Sequence, residues 1–380
     1  MKTVTFVTGN GWRHDEAKRL LSGLHVERAR ITLAKGDSEK LEEIATARVL
    51  DAFRQLETPC FIENTGMYLE SSEAFAGAQV KQLLQELGPA AFTARFGGLR
   101  GVTRVVVAYT ADGRSVKLFA GENSGSVAKE PRGEQGYGWD PVWIPDGFER
   151  TLAELRSSKY VVNMRLLPFL ELAAELRGTG FEGVFESHVT VAACDEAAFA
   201  KTCDALGVRA LLISLPRGRT PRQPMTGAHH RGSLQEVLLV VHQLARDLAQ
   251  AGFEVIRTKV EAVGPHRDLP LTDDVAARAP RTNYFEHHAK VVLPSPDSEA
   301  EVSRAFAELG AYLSRGAPRA DGVELRFVTL RSWGLGQASA DARFDQVLAL
   351  AARLGLPLRN RAREYTVYDS ALDVDTGWMA

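Results

Sequence analysis

Cysteine is scarce in this chain: three of 380 residues, Cys60, Cys194 and Cys203. An odd count, with spacings that suit neither a disulfide framework nor a zinc site, excludes a disulfide-stapled scaffold and points to a reducing compartment. Cys60 and Cys194 lie in apolar, strand-like contexts and read as buried. Long apolar runs are missing as well. No stretch is long enough to span a membrane, and the chain opens on a strand rather than a leader. The expectation is a cytoplasmic protein with no membrane partner. Excess charge of either sign is absent too: 46 Lys and Arg stand against 48 Asp and Glu, a formal net charge of −2. That balance gives no global pull toward nucleic acid or membrane surfaces. What remains, 45% hydrophobic and 25% charged residues, is an ordinary globular composition with length for two or three domains.

The most informative segment present is Gly136-Tyr137-Gly138-Trp139-Asp140-Pro141, continuing to Gly147. Glycine and proline fix a loop backbone, and loops held that way carry binding groups. Trp139 offers a flat apolar face and Asp140 an acceptor for ring N–H donors, a pair suited to a purine-like base. The alternative is a structural turn that packs one tryptophan into a core. Near the start, residues 4–7 read as a short buried strand, followed by Thr8-Gly9-Asn10 and a helical run over 13–21. A strand, a glycine turn and a helix start form an anion site through free N–H groups and the helix dipole. Arg13 adds a positive charge one turn in. The alternative is an ordinary strand-to-helix turn. A third element, Phe61-Ile62-Glu63-Asn64-Thr65-Gly66, reads as an apolar strand ending in polar groups, and strand ends in α/β sheets are where ligands sit. A fourth comprises residues 151–155, Lys159 and Asn163-Met164-Arg165.

In this order and spacing the four elements resemble the ITPase family of purine nucleoside triphosphate pyrophosphatases. The resemblance covers residues 1 to about 176. It rests on Thr8-Gly9-Asn10 with Arg13, Glu63-Asn64-Thr65-Gly66, Tyr137-Gly138-Trp139-Asp140-Pro141, residues 151–154, Lys159 and Arg165. It implies a mixed α/β domain with an elongated sheet and a nucleotide cleft. It also implies nucleotide binding by Thr8, Asn10, Arg13, Glu63, Asn64, Trp139, Asp140, Lys159 and Arg165. Mg²⁺ would be the cofactor, with Glu63, Asp37 and Glu39 as candidate ligands.

The chain departs from that pattern where chemistry is done. Arg13 stands where the family has a phosphate-binding lysine, and a guanidinium holds its proton near neutral pH. Asn64 replaces an acidic residue, and an amide neither ionises nor serves as a general base. Asn163-Met164 replaces a Ser-His pair, and Gly36 falls where a metal-binding glutamate is expected. Losing such groups weakens metal-assisted phosphoanhydride cleavage. The sequence therefore argues better for purine nucleotide recognition than for turnover.

A boundary falls near residues 177–180, giving domains over 1–178 and 181–380. The second half contains a weak internal repeat: Phe185-Glu186-Ser187-His188-Val189-Thr190-Val191 recurs as Phe285-Glu286-His287-His288-Ala289-Lys290-Val291. Each copy continues with a helix (198–207; 302–310), a strand (211–215; 324–329), a long amphipathic helix (233–250; 340–354) and a charged strand (254–261; 361–368). The order βαβαβ, twice, predicts an α+β domain of duplicated split-βαβ, ferredoxin-like lobes over about 181–275 and 283–380. Strand alternation puts His188 with Thr190 on one face, and His288 with Lys290. Convergence of the two would suit acid–base work on a phosphodiester. In this the chain loosely resembles the two-histidine phosphoesterase superfamily, whose second hydroxyl is replaced here by Lys290. The alternative is two hydrogen-bonded sheet histidines. Residues 225–233 read as a loop ending in an N-cap at Ser233, with Arg231 as a phosphate contact.

Two functions are thus expected: a nucleotide-metabolism hydrolase that binds a purine nucleotide, or an inactive nucleotide sensor controlling a phosphoesterase-like half that acts on RNA ends or cyclic nucleotides. A homodimeric state stays open.

Overall fold

A computed structural model describes residues 3–22, 24–34, 38, 40–70, 77, 80–177, 181–264, 266–316 and 325–379. The chain divides into two compact units, residues 2–179 and 180–380.

In the first unit the elements run β1 Thr3–Val7, α1 Gly11–Leu20, β2 His25–Ala29, α2 Leu41–Leu56, β3 Cys60–Leu69, α3 Val80–Phe96, β4 Arg100–Thr110, β5 Lys117–Val127, β6 Trp143–Pro145, α4 Lys159–Val162 and α5 Leu166–Arg177. Their strands form a 6-stranded sheet in the order β2-β1-β3-β4-β5-β6. β1 pairs in parallel with β2 and β3, and the rest of the ladder is antiparallel. Apolar residues on both faces of the central strands account for this placement: Val105, Val106, Val107 and Ala108 of β4 are all fully buried. One face is covered by α2, whose Leu41, Ala45, Val49 and Ala52 recur at helical spacing and pack on Cys60, Ile62, Val106 and Ala108. On the other, Phe6 and Phe61 stack at 4.5 Å, and Phe169 of α5 meets both edge-on.

One expectation is corrected here. β3 does not end at Glu63. It runs on through Gly66, with Glu63, Asn64 and Thr65 paired to Val107, Val106 and Val105. The polar residues continue the strand because β4 supplies a full antiparallel partner.

The second unit runs β7 Glu182–Val191, α6 Glu196–Ala205, β8 Arg209–Ser214, β9 Arg222–Ser233, α7 Leu234–Gln250, β10 Val255–Val263, α8 Asp273–Ala276, β11 Tyr284–Val292, α9 Glu299–Ala307, β12 Ala311–Arg315, β13 Leu325–Trp333, α10 Gln337–Arg353 and β14 Leu358–Asp369. Each copy holds one strand more than expected. The stretch read as a loop before the long helix is β9, despite Pro224, Gly227 and Gly232, and the short β12 follows α9 directly. The strands close into a barrel, β10-β14-β11-β13-β12-β8-β9-β7, the last joint made at Arg315↔Ser214. β7 and β11 are therefore not neighbours: β10 and β14 lie between them.

Alternation along the barrel strands sorts side chains by chemistry. Phe185, Ser187, Val189 and Val191 are fully buried on one face of β7, while Glu186, His188 and Thr190 line an internal cavity. On β11, Ala289 and Val291 join a core cluster with Phe344 and Val347 of α10, and Glu286, His288 and Lys290 face the cavity. Ser233 caps α7 in a full capping box with Glu236. Replacing Ser233 by Ala should cost about 1 kcal/mol, read as a drop of a few degrees in the second unit's melting temperature. An unchanged melt would show that the cap carries no stability.

Candidate functional site

Two cavities meet in the first unit. One, of about 700 Å³, is lined by the β1–α1 turn (Thr8, Gly9, Asn10, Gly11), by Arg13, Arg48 and Lys81, and by Glu63, Asn64 and Thr65. The other, of about 450 Å³, is lined by Leu84, Gly88, Pro89, Tyr137, Gly138, Trp139, Asp140 and Arg165. Asn10, Arg13 and Lys81 line both, so the two share a wall.

The wall is built by α1. Asn10 caps that helix, its side chain accepting from the Arg13 N–H at 3.3 Å. Arg13 then reaches Glu63 at 3.1 Å, and Arg165 grips the same carboxylate through Nε at 2.8 Å and Nη2 at 3.3 Å. Burial would raise the Glu63 carboxyl, but Arg165 and then Arg13 hold it below the usual range. Behind this pair Glu16 accepts from the Tyr137 hydroxyl and from Asn163 Nδ2. Asn163 thus has a structural partner in Glu16, and Met164 is packed in the core.

The cations outnumber their partners. Arg48 donates to Asn64 Oδ1 at 2.7 Å, and burial followed by Arg13 pulls its guanidinium down. Lys81 is lowered by burial, then by Arg13 and Arg48. Three cations gathered around a single, already engaged carboxylate make a pocket that favours a polyanion.

In the second cavity Asp140 Oδ2 accepts from Lys159 at 2.9 Å and from the Tyr137 N–H at 3.0 Å. A side chain at residue 136 would collide with that carboxylate: a Cβ there would lie 2.5 Å from Oδ2, and φ is +125°. Gly136 is therefore required. Trp139 is 7% exposed and forms wall rather than an open stacking face.

The matching family model, described as the Ham1 family, covers residues 4–173. A dITP/XTP pyrophosphatase from Methanopyrus kandleri is 34% identical over 157 residues, 40% of this chain and 84% of the relative. An inosine triphosphate pyrophosphatase 2 from Trypanosoma cruzi is 30% identical over 161 residues, 41% and 82%. The chain belongs to the Ham1 family. A solved Staphylococcus aureus Ham1 protein aligns at 20% identity over 47% of this chain and 99% of that one, with a TM-score of 0.38.

Within the Ham1 region the structure brings together Thr8, Asn10, Arg13, Glu63 and Asn64 in one cavity, and Trp139, Asp140 and Arg165 in the other. Lys159 is corrected. It lines neither cavity but sits behind Asp140 as its counter-ion, because Asp140 would otherwise be a buried unpaired carboxylate. Arg165 is likewise committed to Glu63 rather than free for phosphate. Arg48, Lys81 and Glu16 were missed, since each lies on a helix with no local motif. Asp37 and Glu39 lie outside the described residues. Among the described residues no group of three His, Cys, Asp or Glu could hold a metal ion. Both Glu63 oxygens and Asn64 Oδ1 are already bonded to guanidinium groups, so the described donors do not fit a protein-held divalent cation.

In the second unit His188, Thr190, His288 and Lys290 all line the barrel cavity, about 500 Å³. The two histidines differ from a free acid–base pair. His188 Nδ1 meets the Thr226 carbonyl at 2.9 Å and Nε2 meets Glu261 at 3.3 Å. The Thr226 carbonyl calls for the proton on Nδ1, and Nε2 faces the Glu261 carboxylate. His288 lies 3.5 Å from Glu364 and 3.9 Å from Glu286. Arg231 is exposed on β9 and does not line the cavity, because the segment is strand rather than loop. Asp375 was missed; it folds in to join Arg257 and Arg331.

Burial, then neighbouring Glu261, pushes the Glu364 carboxyl up to about 10. The folded chain keeps this proton between the ordinary 4.5 and about 10, while the unfolded chain loses it. Stability from this group is therefore complete below pH 4.5 and falls as pH rises through that window. Glu364→Gln should remove the slope, and its melting temperature should gain on the native chain steadily from about pH 5 to about pH 9. A difference that stays flat with pH would show that Glu364 ionises normally.

Proposed function

We propose that residues 4–173 bind a purine nucleoside triphosphate and form a nucleoside triphosphate pyrophosphatase-like unit, cleaving the triphosphate to a monophosphate and pyrophosphate slowly. The observation that carries this reading is the shared wall of Asn10, Arg13 and Lys81 between a cationic cavity and an aromatic one. The phosphates occupy the cationic side, against Arg13, Arg48, Lys81 and the N–H groups opening α1. The base enters beside Tyr137, Trp139 and Asp140, where a ring N–H can donate to the carboxylate.

The relatives named for dITP, XTP and inosine triphosphate support a purine with an altered base and a hydrolytic reaction. Slow turnover is supported by Asn64. Its amide cannot take a proton from water, and its oxygen is held by Arg48. Any Mg²⁺ in this reading arrives with the triphosphate, and no step is assigned to it. The barrel we read as a duplication of one split-βαβ unit, because its halves run β8-β9-β7-β10 and β12-β13-β11-β14.

The test is pyrophosphate release and thermal shift over one panel: ITP, XTP, dITP, GTP and ATP. A purine triphosphate should raise the melting temperature while releasing little pyrophosphate, and Asn64→Asp should raise release at least about tenfold. Fast release by the native chain would overturn the reading of Asn64, and no shift with any purine triphosphate would overturn the site. Lys81→Ala should weaken triphosphate binding about tenfold and leave the ligand-free protein equally or more stable, since it relieves repulsion. A loss of stability without loss of binding would make Lys81 structural.

A further inference from the structure

The barrel cavity carries charges that its own framework does not use. Its wall is crossed by a continuous chain of ion pairs, Asp369–Arg257–Asp375–Arg331–Glu286–Lys259–Glu261, in which each cation meets a carboxylate on either side. That chain sets four carboxylates against three cations, each cation paired on both sides, and Arg209 pairs with Glu186. Two further lining cations stand outside these pairs. Among the described residues neither Lys290 nor Arg361 makes an ion pair, and the Lys290 ammonium sits 5.0 Å from the Phe327 ring centroid.

Arg361 reaches the lining through a local irregularity. The β11–β14 register shifts between Ala289 and Lys290, and Asn360 adopts φ 51°. At this irregularity Asn360, Arg361 and Ala362, three consecutive residues, all border the cavity.

Next along β14, Glu364 is 5% exposed and its Oε2 has no hydrogen-bond partner. Kept protonated at neutral pH, it offers an O–H. Leu211, Ile213, Met225 and Phe327 supply apolar lining.

We propose that the barrel interior is a second binding site, for a phosphate monoester carried on an apolar ring-sized body. Lys290 and Arg361, which make no ion pair among the described residues, supply positive charge for one such group, which is close to a dianion at neutral pH. Lys290 and Arg361 hold the phosphate, with the Asn360 amide beside them. Glu364 donates to an acceptor on the body, and the apolar wall covers the rest. The site is independent of the nucleotide reading, because it lies wholly within the second unit.

Phenyl phosphate is the probe, titrated into the full chain with its methionine methyls labelled with carbon-13. Met225 lines the barrel cavity, whereas Met67 and Met164 belong to the first unit. The Met225 resonance should shift, and Arg361→Gln should weaken binding about tenfold. Arg361 is exposed and without a partner among the described residues, so this variant should keep its fold, which an unchanged melt confirms. Lys290→Met should act in the same direction, and Lys81→Ala should leave the Met225 shift intact. Inorganic phosphate should bind about tenfold more weakly. The proposal is overturned if Met225 does not move, if only Met67 or Met164 moves, or if Arg361→Gln binds like the native chain. Equal binding of inorganic phosphate would overturn the apolar half of the site.

Discussion

Glu63 is the charge on which the first unit turns. It lies on the central strand β3, where a free carboxylate would be costly, and two guanidinium groups from separate elements hold it ionised. Through Arg165 it is tied to the chain segment that follows α4, through Arg13 to α1, and through Glu16, Tyr137 and Asn163 to the glycine-rich loop. The site's shape therefore depends on a buried ion network rather than on loops alone. Removing either partner would leave a charge buried without compensation, which is far more destabilising than a surface pair could offset.

The same network explains why positive charge is left over. With Glu63 satisfied by Arg13 and Arg165, Arg48 and Lys81 lie beside Arg13 and make no ion pair among the described residues. Arg48 settles on the neutral oxygen of Asn64. Beside Glu63, the amide of Asn64 thus buttresses a cation. The barrel of the second unit obeys the opposite rule. Its framework cations are each paired with carboxylates along one chain of ion pairs, while Lys290 and Arg361 border the cavity without an ion pair among the described residues.

Much of the first unit was legible in the sequence because its motifs are local. Thr8-Gly9-Asn10 and Gly136 to Asp140 each contain the backbone requirement and the functional group within a few residues. Arg48 and Lys81 could not be read that way. They lie on α2 and α3, where a cation on a helix looks like any solvated face, and only the packing of those helices on the sheet brings them to Arg13. Lys159 was legible as part of the site but not in its role, since nothing local says which carboxylate it meets. In the second unit the shared facing of His188 with Thr190 and of His288 with Lys290 followed from period-two alternation. β9 was hidden by proline and glycine, β12 by its brevity, and closure of the barrel by depending on pairings between distant strands.

The central claim is that the surplus of positive charge around Arg13, Arg48 and Lys81 exists to hold a triphosphate. Titration calorimetry of the full chain with inosine, IMP, IDP and ITP tests it most directly. The account predicts that affinity climbs with each added phosphate and that the climb flattens as salt rises, since the gain is electrostatic. Equal affinity for IMP and ITP, or tighter binding of inosine than of ITP, would contradict it.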